Sequence, residues 1–233
     1  MKAIVTCEHG GREVPPEYRY LFHGCKKVLE SHRGYDAGAK ELAAVLAEGL
    51  RAPLYTSVVT RLLVDLNRSR GNPRLFSEFS RKLERREKSS LIENYYRPYR
   101  QEVESGIERA VRSGHRLLHL SVHSFAPVFK GKIRDADIGL LYDPSRTAES
   151  DICMTLQKAI SERAPHLAVR RNYPYRGTSD GFTTSLRRKF SQRRYMGIEI
   201  EINQKWYSGN AGNWSRFVRP ILKALTDGVC RDD

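Results

Sequence analysis

Three stretches of this chain place imidazole and carboxylate groups where an apolar run ends. Ala3-Ile4-Val5-Thr6 leads into Glu8-His9-Gly10-Gly11, the run Arg116–Val122 leads into His123-Ser124, and Met196–Ile202 carries Glu199 and Glu201. Zinc accepts imidazole nitrogen and carboxylate oxygen, and a catalytic zinc site keeps one position for water. His9 and His123, each at the end of an expected strand with carboxylates nearby, are therefore candidate zinc ligands. Strand residues two apart share a face, so Glu199 and Glu201 point one way while Ile198, Ile200 and Ile202 fill the other. A carboxylate inside an apolar strand is costly to bury without a cation opposite it. Glu199 reads as lying on the solvated face of an edge strand, and Glu201 stays open between that reading and chemistry. His119 shares a face with His123 and reads as a packed residue behind it, while His23, His32, His115 and His166 have no comparable placement. A fourth group is Arg61, Asn67 and Arg68. Two guanidinium forks and an amide match the oxygens of a carboxylate, although a turn with solvated arginines has the same spacing.

These groups need a scaffold. From Asp36 the pattern turns helical, with Ala39, Leu42, Ala43, Leu46 and Leu50 on one face and Asp36 as a possible cap. Leu54–Val59, Ile138–Tyr142 and Leu167–Arg170 read as further strands. Helices are expected around Ile92–Val111, around Ile152–Ile160 and around Trp214–Leu225, with Pro98 and Pro220 as kinks or boundaries. The polar, basic stretch 69–91 reads as an insertion or flexible flap. Strands alternating with helices imply one α/β domain over residues 1–233, with a mixed, mostly parallel sheet flanked by helices. Such sheets bind ligands beyond the carboxyl ends of their strands, where the histidines lie.

Composition narrows the classes. The chain has 233 residues, and 41 Lys+Arg against 27 Asp+Glu give a formal net charge of +14. That field attracts anions: small carboxylates, phosphates, nucleic acid or acidic proteins. The basic stretches 69–91 and 187–194 make nucleic-acid binding a competing reading. It is the weaker one, because no helix-turn-helix, RNP or zinc-finger spacing accompanies them. The chain has no apolar run long enough to span a membrane and no signal-like start, so a cytoplasmic location is expected. There the scattered Cys7, Cys25, Cys153 and Cys230 would stay reduced and structural.

Taken in order, several motifs resemble the N-formylglutamate amidohydrolase family: Cys-Glu-His-Gly-Gly at 7–11, His-Arg-Gly-Tyr-Asp-Ala-Gly-Ala at 32–39 and Thr-Arg-Leu-Leu-Val-Asp-Leu-Asn-Arg at 60–68. Tyr-Tyr-Arg-Pro-Tyr at 95–99, Ser-Val-His-Ser at 121–124 and Gly-Ile-Glu-Ile-Glu-Ile-Asn-Gln at 197–204 continue the series. The family is similar in fold to the zinc carboxypeptidases and aspartoacylases, which implies a zinc carboxypeptidase-like hydrolase fold and Zn2+-dependent cleavage of a linear amide. By the same resemblance His9 and His123 are metal ligands and Glu201, with Gln204 three residues on, is the general base. Arg61, Asn67 and Arg68 are the substrate-carboxylate clamp, with Arg61 also at the oxyanion. The related enzymes take a third ligand from a glutamate three residues after the first histidine, where this chain has Arg12. Asp36 falls on a family aspartate and is the first choice for that ligand, with Glu8 the second. Arg100 stands where the family often has histidine, and Asn203 where it often has arginine. The implied substrate is a small anionic N-acyl amino acid such as N-formylglutamate. A peptide or cell-wall amide is the alternative for the same chemistry.

Overall fold

The computed structural model describes residues 1–207 and 211–228, so Cys230 lies outside the described residues. In chain order the elements are β1 (Lys2–Cys7), α1 (Lys26–Leu29), α2 (Ala39–Gly49), β2 (Leu54–Thr56), α3 (Arg85–Leu91) and α4 (Arg97–Arg112). Then follow β3 (Leu117–Phe125), a small hairpin of β4 (Val128–Phe129) and β5 (Lys132–Ile133), β6 (Ile138–Leu141), α5 (Thr147–Arg163) and β7 (Val169–Arg171). The last are α6 (Phe182–Lys189), β8 (Tyr195–Asn203) and α7 (Ala211–Gly228). Six strands pair in the order β2-β1-β3-β8-β6-β7. The first four are mutually parallel, while β6 runs antiparallel to β8 and carries β7 parallel to itself. This is the mixed, mostly parallel α/β sheet that the alternation of elements implies.

The two faces of the sheet differ in chemistry. Val5 and Cys7, Leu118, Leu120 and Val122, and Ile198, Ile200 and Ile202 form one face, which packs on α2, α5 and α7 in the largest apolar cluster. Each such aliphatic side chain contributes about 1.5–3 kcal/mol by leaving water. On the other face Ile4, Leu117 and Tyr195 pack with α4 and α6 at the amino ends of the strands. Toward the carboxyl ends that face turns polar. Thr6 is level with Ser121, Ser121 with Glu199 and His123 with Glu201, in the registers of β1 on β3 and β3 on β8. Gly139 of β6 lies opposite Glu201, and a Cβ there would come within 3.2 Å of the Glu201 Cβ and clash with the Tyr173 carbonyl. The glycine lets β6 close against the strand that carries the glutamate.

Three expectations need correction. β8 is an interior strand between β3 and β6, so Glu199 is only 8% exposed instead of lying on a solvated edge. Asp36 does not cap α2. Gly38 is the cap, at a φ of 81° that favours glycine, and the Asp36 carboxylate turns toward the histidines. The stretch 69–91 is tied to the core despite its polarity, because Leu75, Leu83 and Leu91 are buried in two apolar clusters. At Pro98 the boundary is a π-helical turn, Ile92–Tyr96, set between α3 and α4. The helix around Pro220 runs unbroken from Ala211 to Gly228, and α6 and the β4–β5 hairpin had no sequence signal that we read.

Candidate active site

His9 follows β1, His123 lies near the end of β3, and Asp36 sits on the loop before α2. The Asp36 backbone N–H donates to the His9 carbonyl at 2.9 Å, which fixes the loop beside the first histidine. One ligand atom each from His9, Asp36 and His123 lies within 4.8 Å of the other two, and all three residues are buried. His9 Nδ1 stands 3.2 Å, and His123 Nδ1 2.9 Å, from the same Asp36 oxygen, Oδ2. Both imidazoles thus present Nδ1 to one point.

The opposite ring nitrogens are each held by another buried carboxylate. His9 Nε2 lies 2.7 Å from Asp65 Oδ1, and His123 Nε2 lies 3.2 Å from Glu8 Oε2. An imidazole whose far nitrogen donates to a carboxylate has its tautomer and ring angle fixed, with the near nitrogen free to ligate. Glu8 is fully engaged on that far side. Its Oε2 accepts from Ser121 Oγ at 2.8 Å and its Oε1 from the Tyr99 hydroxyl at 3.1 Å. This separates the two candidates for third ligand: Asp36 faces both Nδ1 atoms, and Glu8 stands behind His123. Arg12 instead reaches Tyr35 and Glu30. His119, as expected, is packed, between Thr6 Oγ1 and the Tyr195 hydroxyl, each at 2.8 Å.

The charges suit a cation. Burial alone would raise the carboxyl pKa values of Glu8, Asp36 and Asp65, yet all three are held below the usual range. The His123 hydrogen bond does this for Glu8, the His9 charge and the two histidine hydrogen bonds for Asp36, and Arg61 with His9 for Asp65. Burial likewise opposes a charged His123, but Asp36 and Glu8 outweigh it and raise its pKa well above the ordinary histidine value. Buried acids in this number require compensating positive charge. Glu201 is the exception. Burial, then the charges of Asp36 and Glu199, push its pKa up to about 8, and its buried Oε2 has no hydrogen-bond partner among the described residues. A clustered donor set beside an orphaned carboxylate oxygen fits a divalent metal with its reaction space.

All of these groups except Asp65 and Glu8 line a cavity of about 660 Å³, together with Arg61, Asn67 and Arg68. The clamp residues are partly committed. Arg61 donates to Asp36 Oδ1 at 3.3 Å and to Asp65 Oδ2 at 2.8 Å. Asn67 accepts the Phe182 N–H through Oδ1 and places Nδ2 3.2 Å from His123 Nε2. Arg68 donates to the Asp180 carbonyl.

The model of the N-formylglutamate amidohydrolase family matches residues 1–208. This chain belongs to that family. Comparison with curated proteins gives no match. Among crystal structures, the gene product Atu2144 of Agrobacterium tumefaciens is 28% identical, with a TM-score of 0.81 over 97% of this chain and 91% of that one. The N-formylglutamate amidohydrolase of Ralstonia eutropha JMP134 shares the fold at 19% identity, with a TM-score of 0.70 over 96% of this chain and 92% of that one.

As an N-formylglutamate amidohydrolase family member, the chain shows what its departures from the family pattern do. Arg100 donates to the Leu66 carbonyl at 3.1 Å and stacks 4.0 Å over Phe182, pinning the loop that carries Asn67 and Arg68. Asn203 is buried and donates to the Ala136 carbonyl at 2.9 Å. Sequence reasoning gave no role to Asp65 or Tyr99. Asp65 lies within the quoted 60–68 motif, but only the fold shows which imidazole it meets. Exchanging Glu8 for glutamine removes the charge behind His123 and keeps the shape. Zinc affinity is expected to fall roughly 10–100-fold, measured by competition with a chelating dye. Complete loss of metal from a folded Glu8→Gln protein would make Glu8 a ligand instead.

Proposed function

We propose that this chain is a zinc-dependent amidohydrolase that cleaves the linear amide of a small anionic N-acyl amino acid of the N-formylglutamate kind. The observation that carries the proposal is the convergence of His9, Asp36 and His123 beside an unpaired, basic Glu201 in one cavity. Family membership supports amide hydrolysis, and the donor set supports zinc. His9, His123 and Asp36 would hold the ion, which supplies Lewis acidity toward water and the amide carbonyl. Glu201 takes a proton from the attacking water and returns it to the leaving amine nitrogen, so water adds across the C–N bond with no other reactant. Arg61 keeps Asp36 and Asp65 oriented, and as a cavity-lining guanidinium it is the candidate oxyanion donor. Arg68 and Asn67 are the proposed anchor for the substrate carboxylate.

Among the described residues no helix is long and apolar enough to cross a membrane. The proposal places the activity in the cytoplasm, where Cys7, Cys25 and Cys153 remain thiols. The nucleic-acid reading loses part of its support, because Arg187, within the basic stretch 187–194, is buried against Glu149 and the Gly197 carbonyl. Purified protein is expected to carry about one zinc per chain. Chelation should remove the zinc together with hydrolysis of N-formylglutamate, and added zinc should restore both. A chelated enzyme at full rate would overturn the metal role, and a zinc-loaded enzyme inert toward every N-acyl amino acid would overturn the substrate class.

A further inference from the structure

Two chemically different walls line the cavity around the histidines and Glu201. One is cationic: Arg68, Arg74 and Arg176 line it, and the guanidinium groups of Arg74 and Arg176 have no hydrogen bond or ion pair among the described residues. The other wall is aromatic, formed by the exposed rings of Phe129, in the β4–β5 hairpin, and Tyr175, with the almost fully buried Phe125 at the end of β3 beside them. Phe129 is 40% exposed and Tyr175 43%, which is unusual for large rings. They are nonetheless held in place. The Arg134 guanidinium lies 4.5 Å from the Phe129 ring centre, 5.1 Å from that of Tyr175 and 5.7 Å from that of Phe125. It also donates to the Tyr175 hydroxyl at 3.1 Å. Rings fixed in advance present an apolar surface that loses little side-chain entropy when a ligand covers it.

An N-acyl amino acid has matching halves. Its carboxylate belongs on the cationic wall, which leaves the acyl group for the aromatic one. A formyl group is one carbon and an oxygen, too small to cover the two exposed rings. N-formylglutamate as a whole displaces roughly six waters' worth of volume, about 180 Å³, against a cavity of about 660 Å³. We infer that this enzyme prefers a large apolar acyl group, such as an arylalkanoyl group, over formyl, with Phe129 as a specificity-determining residue. The inference rests on the amidohydrolase reading above and goes further by naming the acyl class.

The test compares zinc-loaded enzyme on N-phenylacetylglutamate and N-formylglutamate. The kcat/KM ratio is expected to favour the phenylacetyl substrate at least tenfold. Phe129→Ala is expected to lower that ratio at least fivefold, and Phe129→Trp to keep it above that of the alanine variant. Equal or better cleavage of the formyl substrate overturns the inference, as does an alanine variant with an unchanged ratio. If neither compound is hydrolysed, the amidohydrolase reading fails separately. Calorimetric titration of the same pair then decides the acyl preference alone, and phenylacetyl binding no tighter than formyl binding overturns it.

Discussion

Glu201→Gln is expected to lower kcat by roughly 10²–10⁴-fold, the usual contribution of a positioned general base, with zinc content unchanged. Glutamine has the shape of glutamate, so the close packing against Gly139 persists, and the proposed ligand set of His9, Asp36 and His123 is untouched. The group lost is the one whose buried oxygen has no partner and whose pKa burial and neighbouring acids raise to about 8. That carboxylate costs the fold stability when ionised, because it is buried beside Asp36 and Glu199. The variant should therefore melt at the same temperature as the parent or higher, a separation of stability from activity common at strained sites. Wild-type kcat in a folded, zinc-loaded Glu201→Gln protein would remove Glu201 from the mechanism.

His123→Ala tests the proposed metal site. Elemental analysis should find less than about a tenth of the parent's zinc, since three protein ligands are the usual minimum for a catalytic site, and hydrolysis should be lost with it. The variant also leaves Glu8 as a buried carboxylate without its imidazole partner and takes one of two imidazoles from Asp36, which keeps His9 and Arg61. Breaking a buried pair from one side costs about 3–5 kcal/mol, so a lower melting temperature should accompany the loss of metal. His123→Gln fills more of the vacated space and provides the folded comparison. Full zinc occupancy in either variant would contradict the ligand assignment.

Much of this site was legible because strand ends are legible. His9 and His123 follow apolar runs, and parallel sheets gather such ends at one edge. Asp36 was reachable only through the family pattern, since its local sequence reads equally well as a helix cap. Glu199 was misread because periodicity shows that one face of a strand is polar and says nothing about which strands flank it. The interior position of β8 comes from pairing with β3 and β6, far away in sequence. The partners behind the histidines were out of reach for a related reason. Asp65 and Glu8 touch ring nitrogens, and no spacing rule specifies the angle of a ring. The stretch 69–91 misled in a simpler way. Three buried leucines anchor a segment whose other residues are mostly polar, and composition averages them away.

The position of β8 in the sheet has a consequence for biosynthesis. During translation the amino-terminal half can assemble β2-β1-β3, and later residues can pair β6 with β7, but these two ribbons share no hydrogen-bonded border. The strand that joins them follows all the other strands in sequence, ends at Asn203 and also delivers Glu201. A growing chain therefore holds both histidines and Asp36 before it holds Glu201, and the two ribbons close into one sheet only after β8 has been made.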